Sequence, residues 1–561
     1  MRPVLSMVIF LFLLPVNAES ASAADIYGLP VTEYTLRNGM RFVIVERRES
    51  PTFSAVIRFK VGSVNESPGQ TGMAHLLEHM MFKGTDRFGT TDPVHEHPIL
   101  QRIDALQLQL QVARSSGQRQ IGLDMGALNR ELAGLEQEAK RFIIRNELWD
   151  IYRRNGGTGL NASTSRDRTQ YFVSLPKNRL ELWALLESDR IRNPVFREFY
   201  TERAVVQEER RERVDTNPRG QLMEAALATA FTAVPYRHPV LGWPGDLENL
   251  LRPQAEAYFR QFYAPNNAVV VLVGDLTPSE VIPILERYFG DLPPPAAALM
   301  PAYQEPAQQG ERRVRVDFPA EPQLMLLYQA PPVGDPDSYS LSVLGSILGE
   351  GRSSRLYQKL IVEKQVATRA ESGPWFLKYA GLFLVQATPR SPHTLADVEA
   401  AIDEELRRIQ TDPVSPQELL KVRNQVEAEA VNRLASNAGL AAELANAWAL
   451  RGDWRSVITD REKLKAVTVE QVQDVARRAD CAAYAVAWHR EFDPKWRLVA
   501  TLQHALRRPW LAESLVAVLA RQPAATAPLM AAAGDLVPAA ELRPVRLMLQ
   551  CVRESFSTPA A

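Results

Sequence analysis

Apolar and polar residues alternate through "EYTLRNGMRFVIVE" (33–46), with Asn38-Gly39 at the break. That pattern predicts a β-hairpin. "TFSAVIRFKVG" (52–62) is a β-rich run that stops at Gly62. From Gly72 to Phe82 the period changes, and Leu76, Leu77, Met80 and Met81 form the apolar part of a predicted helix. Ile99, Ile103, Leu106 and Leu110 then recur at helical steps, "SSGQ" interrupts, and Met125, Leu128, Leu132, Leu135, Ala139 and Phe142 repeat the pattern. Residues 91–145 therefore read as two helices folded back on each other.

Strand character returns in "GLNASTSRDRTQYFVSLP" (159–176), a long helix is predicted over 198–214, and "NNAVVVLVGDL" (266–276) reads as a fully buried strand. A Pro/Ala/Gln-rich linker occupies 293–310. The second half replays this order. "RRVRVDFPAEPQLMLLYQAP" predicts strands, "DSYSLSVLGSILGEG" a helix, and "CAAYAVAWH" (481–489) mirrors the late strand of the first half. An internal duplication follows from the order of elements. Residues 499–561 are Ala/Leu/Arg-rich and are expected to form a helical extension.

Charge changes the picture by what it removes. Lys plus Arg (65) and Asp plus Glu (66) nearly cancel, so no basic excess points to nucleic acid. Residues 1–24 have a positive start, the apolar run "VLSMVIFLFLLPV" and small residues, the pattern of a secretory leader with cleavage after Ala18 or Ala23. The run is short for a membrane span, and no later stretch is long enough. An exported protein is expected, in the periplasm of a Gram-negative bacterium first and secreted second. Export permits a disulfide between Cys481 and Cys551, and two buried free thiols fit equally well. Two cysteines cannot build a thiolate zinc cluster, so a metal site must use histidine and carboxylate.

"GMAHLLEHMMFKGT" (72–85) supplies such residues. His75 and His79, four apart, share a helix face and can grip one zinc ion. Glu78 sits where a base could reach a water on that ion, the logic of the inverted zincin motif H-x-x-E-H. Catalytic zinc wants a third protein ligand. In "YTERAVVQEERRERV" (200–214), Glu202 and Glu209 lie two turns apart on one face, and either could be that ligand while the other orients it. Glu208 and Glu212 compete on spacing alone. His95 and His97 suit a surface loop, and His238, His393, His489 and His504 are isolated.

The chain resembles the M16 metallopeptidases, the family of pitrilysin, insulin-degrading enzyme and the mitochondrial processing peptidase. The resemblance rests on "GMAHLLEHMMFKGT", "GGTGLNASTSRDRTQYFVSLP", "ERAVVQEERRER" and "PNNAVVVLVGDL", and covers about residues 30–495. It implies an α+β fold of two similar α/β domains facing each other. These would be a zinc domain at 25–292 carrying the 91–145 insertion, and a domain at 311–498 without the zinc motif. It implies His75, His79 and Glu209 as ligands of one Zn2+ per chain, Glu78 as catalytic base, and Glu202 as the glutamate supporting the ligands. It implies Asn161 and Ala162 in an edge strand that binds peptide by strand addition.

Two departures qualify the resemblance. The separation of His79 from Glu209 is longer than usual, and the insertion accounts for it. Many relatives carry an arginine and, seven residues on, a tyrosine that hold substrate in the second domain. Ile361 and Thr368 stand there, and neither donates as a guanidinium or phenol does. The expected activity is a metalloendopeptidase acting on peptides or unfolded segments. The expected partners are a related zinc-less subunit carrying the Arg/Tyr pair, or a second copy in a homodimer. The alternative is a non-catalytic scaffold or peptide-binding subunit.

Overall fold

The computed structural model describes residues 20–26, 28–115, 124–293 and 303–478. The first half is built on a seven-stranded sheet of order β1-β2-β3-β7-β4-β6-β5. Its strands are β1 (Ser20–Ile26), β2 (Leu29–Thr35), β3 (Arg41–Glu46), β4 (Thr52–Phe59), β5 (Thr158–Thr164), β6 (Thr169–Pro176) and β7 (Ala268–Gly274). The predicted hairpin is β2–β3, in which Tyr34 pairs with Phe42. The "AVVVLVG" run is β7, buried at every position and placed between β3 in parallel and β4 in antiparallel. β1 starts at Ser20, inside the stretch read as a leader.

Helices α1 (Met73–Met80), α2 (Pro93–Ser115), α3 (Met125–Ala139), α4 (Glu147–Arg154), α5 (Leu180–Arg192) and α6 (Phe199–Arg210) follow the early strands. Then come α7 (Pro218–Ala230), α8 (Pro244–Asn249), α9 (Arg252–Phe262) and α10 (Pro278–Phe289). One face of the sheet, with Phe42, Ile44, Phe53 and Ile57, packs against apolar residues of α1, α5, α9 and α10. The alternate residues Val43, Val45, Val56 and Val271 face the other way, as the period of two requires.

α2 and α3 form the antiparallel pair expected of the insertion, and its apolar repeats gather in one core with Val195 and Tyr200. His95 and His97 do not lie in a loop. Asp92 accepts hydrogen bonds from the backbone N–H groups of Val94 and His95, and Pro93 occupies the first turn, so the helix starts before the histidines. Each side chain faces an exposed aspartate, His95 toward Asp92 and His97 toward Asp86.

The second half has a three-stranded sheet of order β8-β10-β9, made of β8 (Leu324–Ala330), β9 (Ala367–Phe376) and β10 (Gly381–Pro389). Strand pairing begins at Leu324, and residues 311–323 run without regular structure, so the predicted strand is shorter than "RRVRVDFPAEPQLMLLYQAP". Arg312, Arg313 and Arg315 on that stretch are exposed, which gives it no apolar face to bury. Helices α11 (Pro336–Gly349), α12 (Leu395–Thr411), α13 (Pro416–Leu434), α14 (Asn437–Arg451), α15 (Ser456–Ala466) and α16 (Val469–Arg478) complete the described chain. Cys481, Cys551, the 481–489 strand, the 499–561 extension and half of the linker lie outside the described residues. Residues through Val475 make one compact unit, and α14 covers the valine face of the first-half sheet at β4 and β7. Among the described residues no helix is long and apolar enough to cross a membrane.

Candidate metal centre

The helix bearing the histidines begins without a side-chain cap of its own. Gly72 is its N-cap, left-handed at φ 88°, and a Cβ there would meet Leu247 Cδ2 at 2.7 Å. The cap comes instead from Glu66. Its carboxylate accepts from the N–H of Gly72 at 2.9 Å and of Ala74 at 2.8 Å. Two orphan donors of the first turn are thereby satisfied inside the protein. Burial pushes the Glu66 carboxyl well above its usual range, and the two backbone donors only partly offset this.

Leu76, Leu77 and Met80 bury one side of α1, which leaves His75, Glu78 and His79 toward α6 and β5. His75 Nε2 lies 3.7 Å from Glu209 Oε1, and His79 Nε2 lies 3.6 Å from Glu209 Oε2. The three donor atoms fall within 4.8 Å of one another. These separations are long for hydrogen bonds. They resemble the spacing of about 3.3 Å between donors that share a tetrahedral zinc. His75 Nδ1 is buried without a hydrogen-bond partner, so Nε2 is the nitrogen it offers to the cluster. Burial, with His79 and Arg213 nearby, pulls His75 down to about 3, which keeps the ring neutral with a free lone pair. Two neutral-capable imidazoles and one carboxylate are a donor set that fits zinc.

His79 differs. Its Nδ1 faces Glu202 Oε2 at 3.3 Å, and Lys83 Nζ donates to Glu202 Oε1 at 2.5 Å and to Glu198 Oε2 at 3.3 Å. Burial disfavours the His79 cation, but the hydrogen bond and charge of Glu202, with Glu209 and Glu78, outweigh it and raise the pKa. Glu202 thus meets His79 at the ring nitrogen that Glu209 does not face. Arg213 reaches Glu209 Oε1 at 2.8 Å from one turn further along. Burial raises Glu78 above the ordinary glutamate range, although hydrogen bonding from Thr164 and the nearby His79 oppose it.

β5 is an edge of the sheet. Asn161 is exposed and pairs in register with Phe172, and Ala162 with Tyr171. The Ala162 N–H donates to Asn161 Oδ1 at 2.8 Å, so this edge donor is occupied by the neighbouring side chain. Asn161, Glu78 and His79 border one cavity of about 380 Å³.

The structure therefore brings His75, His79, Glu209, Glu202 and Glu78 together, with Asn161 at the same cavity. Glu208 and Glu212 take no part, and Glu208 pairs outward with Arg211. Ile361 lies in a π-helical turn over Tyr357–Glu363, and Thr368 is exposed on β9. Sequence reasoning missed Glu66, Lys83, Glu198 and Thr164. Lys83 follows His79 by four residues, a spacing that places it on the same face. For Glu66 no periodic signal exists, because it acts from a loop.

The sequence profile of the insulinase family (peptidase family M16) matches residues 41–96 and 145–242, leaving the insertion between its two parts. The profile described as the peptidase M16 inactive domain matches residues 249–426. A zinc protease, PqqE, of Helicobacter pylori is 28% identical over 415 residues, covering 72% of this chain and 81% of that protein. A probable mitochondrial-processing peptidase subunit beta of Arabidopsis thaliana is 26% identical, covering 73% of this chain and 68% of its own. The crystal structure of a protease from Helicobacter pylori superposes with a TM-score of 0.66 at 25% identity, covering 82% of this chain and 97% of that one.

Proposed function

This chain belongs to peptidase family M16, and we propose that it is a zinc-dependent endopeptidase acting on extended peptides. The observation that carries the proposal is the convergence of His75, His79 and Glu209, with Glu78 on the same helix beside them. When bound there, zinc supplies positive charge that acidifies a water and stabilises negative charge on a carbonyl oxygen.

The chain's own residues do the rest. Glu78 takes the proton of the attacking water and delivers it to the departing amine, bond breaking following bond making. The raised Glu78 pKa suits a group that must both accept and return that proton. Glu202 fixes the His79 ring through Nδ1, and Lys83 holds Glu202 in place. The open edge of β5 receives an extended substrate as an added strand once the Asn161 side chain releases the Ala162 N–H. Most backbone groups of a folded protein are already paired within it, so peptides and unfolded segments are the substrate class.

Glu78→Gln tests the reading. The variant should bind zinc as the wild type does and lose cleavage of an unfolded peptide by at least about a hundredfold. Full activity in that variant sinks the mechanism.

A second reading is favoured by Ile361 and Thr368. The Thr368 hydroxyl donates to the Thr388 carbonyl at 3.4 Å, and the Ile361 side chain has nothing to donate. Substrate clamping in the second half would then come from a related partner subunit or a second copy. Size measurement of the purified chain beside its peptidase rate separates the cases, since a fully active monomer rules out the need. Export is proposed from residues 1–24 and is tested by sequencing the amino terminus of the cell-envelope protein.

A further inference from the structure

Every described residue that borders the cavity of about 380 Å³ beside Glu78 belongs to the first half of the chain. The second half nevertheless reaches the strand at its edge, through the turn that joins β5 to β6. This turn closes with Ser165 N donating to Arg168 O at 2.8 Å. Its carbonyls at Ser165 and Arg166 accept from Ser63 N at 3.2 Å and Val64 N at 2.9 Å. A Cβ on Gly62 would meet those two oxygens at 2.3 and 2.5 Å, so the close approach requires glycine there.

Asp167 is the buried side chain that leaves the turn toward the second half. Its Oδ1 accepts from the Tyr236 hydroxyl at 2.6 Å, and its Oδ2 accepts from the Lys378 N–H at 3.1 Å. The Tyr236 oxygen in turn accepts from the Tyr379 N–H at 3.1 Å. Lys378 and Tyr379 form the tip of the β9–β10 hairpin, which closes with Leu377 N donating to Ala380 O at 3.1 Å. Leu377 and Ala380 bury against Val64, Phe231 and Val234 beside this tie. The Arg166 guanidinium lies over the Trp375 ring of β9, 4.6 Å from its centroid. Tyr236 is fully buried, so no water replaces the tie where it is lost.

The same turn fixes the edge strand. β5 pairs with β6 without interruption from Asn161 to Thr164, and a register shift separates that stretch from Thr158. Thr164 pairs with Thr169, whose buried hydroxyl donates to Val61 O at 2.9 Å. Thr164 is also a hydrogen-bonding neighbour of Glu78. A displacement of the turn therefore moves Asn161 and Ala162 relative to Glu78, and a misplacement of about 1 Å can cost on the order of a hundredfold in rate.

We propose that Asp167 and Tyr236 are positioning residues that tie β5 to the β9–β10 hairpin, so that the second half aligns the bound peptide without lending a side chain to the cavity. This rests on the peptidase reading, in which the peptide adds to β5 as a strand.

The test uses the zinc-loaded full chain and a fluorescently labelled unfolded peptide. Affinity is measured with Glu78→Gln in place, and kcat and KM with Glu78 intact, all well below the unfolding midpoint of each variant. Tyr236→Phe removes the hydroxyl between Asp167 and Tyr379, and Asp167→Asn keeps the side chain's size and removes an acceptor. Each should weaken peptide binding and raise KM by at least about tenfold, with zinc per chain unchanged. The double variant should be no worse than the poorer single one, since both cut one tie. Trp454→Ala, which loosens the halves at α14 instead, should lower the unfolding temperature and keep the wild-type KM. Should neither variant of the tie fold, Arg166→Gln decides, because it removes only the contact with Trp375 and should still raise KM by about threefold. Wild-type affinity and KM in the folded variants would make the tie a packing contact and overturn the proposal, leaving the peptidase reading standing. Peptide binding that depends on Asp167 and Tyr236, with no wild-type cleavage, upholds the tie and overturns the peptidase reading. Neither binding nor cleavage by the wild type overturns both.

Discussion

The surroundings push the two histidines of α1 in opposite directions. His75 is pulled down to about 3 by burial, whereas His79 is raised above its ordinary value, chiefly through Glu202. Zinc needs both rings unprotonated. His75 therefore releases no proton on metal binding at neutral or mildly acid pH, whereas His79 releases one below its raised pKa. A raised pKa means the proton is bound below that pKa, so zinc affinity should fall as pH drops through it, by about tenfold per pH unit. Zinc affinities measured by chelator competition from pH 5 to 8 check this, and a flat profile contradicts it. The histidine spacing was legible in "HLLEH" because four residues close one helical turn. Glu202 and Glu209 were legible as a pair, but spacing alone left their roles open. Glu202 approaches Nδ1 of His79 at 3.3 Å and Glu209 faces both Nε2 atoms, which supports Glu209 as the proposed ligand and Glu202 as its support. Glu66 was not legible, since a loop carboxylate capping a helix six residues on leaves no period in the sequence.

At the level of elements, α1 and α6 carry the proposed ligands, and α2 of the insertion holds the segments just after α1 and just before α6 in register. Glu96 and Arg197 are each 1% exposed, so removing one leaves the other buried without its partner. Glu96→Ala should cost about 3 kcal/mol in chemical denaturation. It should also weaken zinc binding, since Arg197 holds the Lys83 and Thr85 carbonyls. A loss under about 0.5 kcal/mol would mean the pair contributes no more than a surface contact. The two insertion helices were readable because their apolar residues repeat at three and four. Their attachment was not, because a buried ion pair joins residues 101 positions apart. His95 and His97 were misplaced in a loop for a related reason. Pro98 directly after His97 reads as a break in the sequence, yet Asp92 caps the helix ahead of them.

In the whole molecule the halves share a core. Leu440, Leu444 and Trp448 of α14, with Trp454, lie against valines of the first-half sheet, and Trp454 Nε1 donates to Glu33 Oε1 at 2.9 Å. The small side chains of Ala441 and Ala445 let this helix approach β4 and β7. Trp454→Ala should therefore destabilise the first half, by about 3–5 kcal/mol. Thermal unfolding and thermal loss of peptidase activity should shift down together, and an unchanged inactivation temperature would show that the halves are energetically separate. The repeated order of strands and helices was legible as a duplication. The packing of α14 on the first-half sheet was not, because "NAGLAAELANAWAL" says only that a helix is apolar and small, not which sheet it meets.

The central claim is that one zinc, held by His75, His79 and Glu209, makes this chain a peptidase through Glu78. The most direct measurement strips the full chain with chelator and titrates zinc back, reading bound metal and cleavage of an unfolded peptide on the same samples. Both should rise together and saturate at one zinc per chain. Glu78→Gln should bind the same zinc without cleavage, and Glu209→Gln should lose much of the metal. Cleavage that persists without zinc, or zinc retained in full when His75 and His79 are both replaced, would contradict the account.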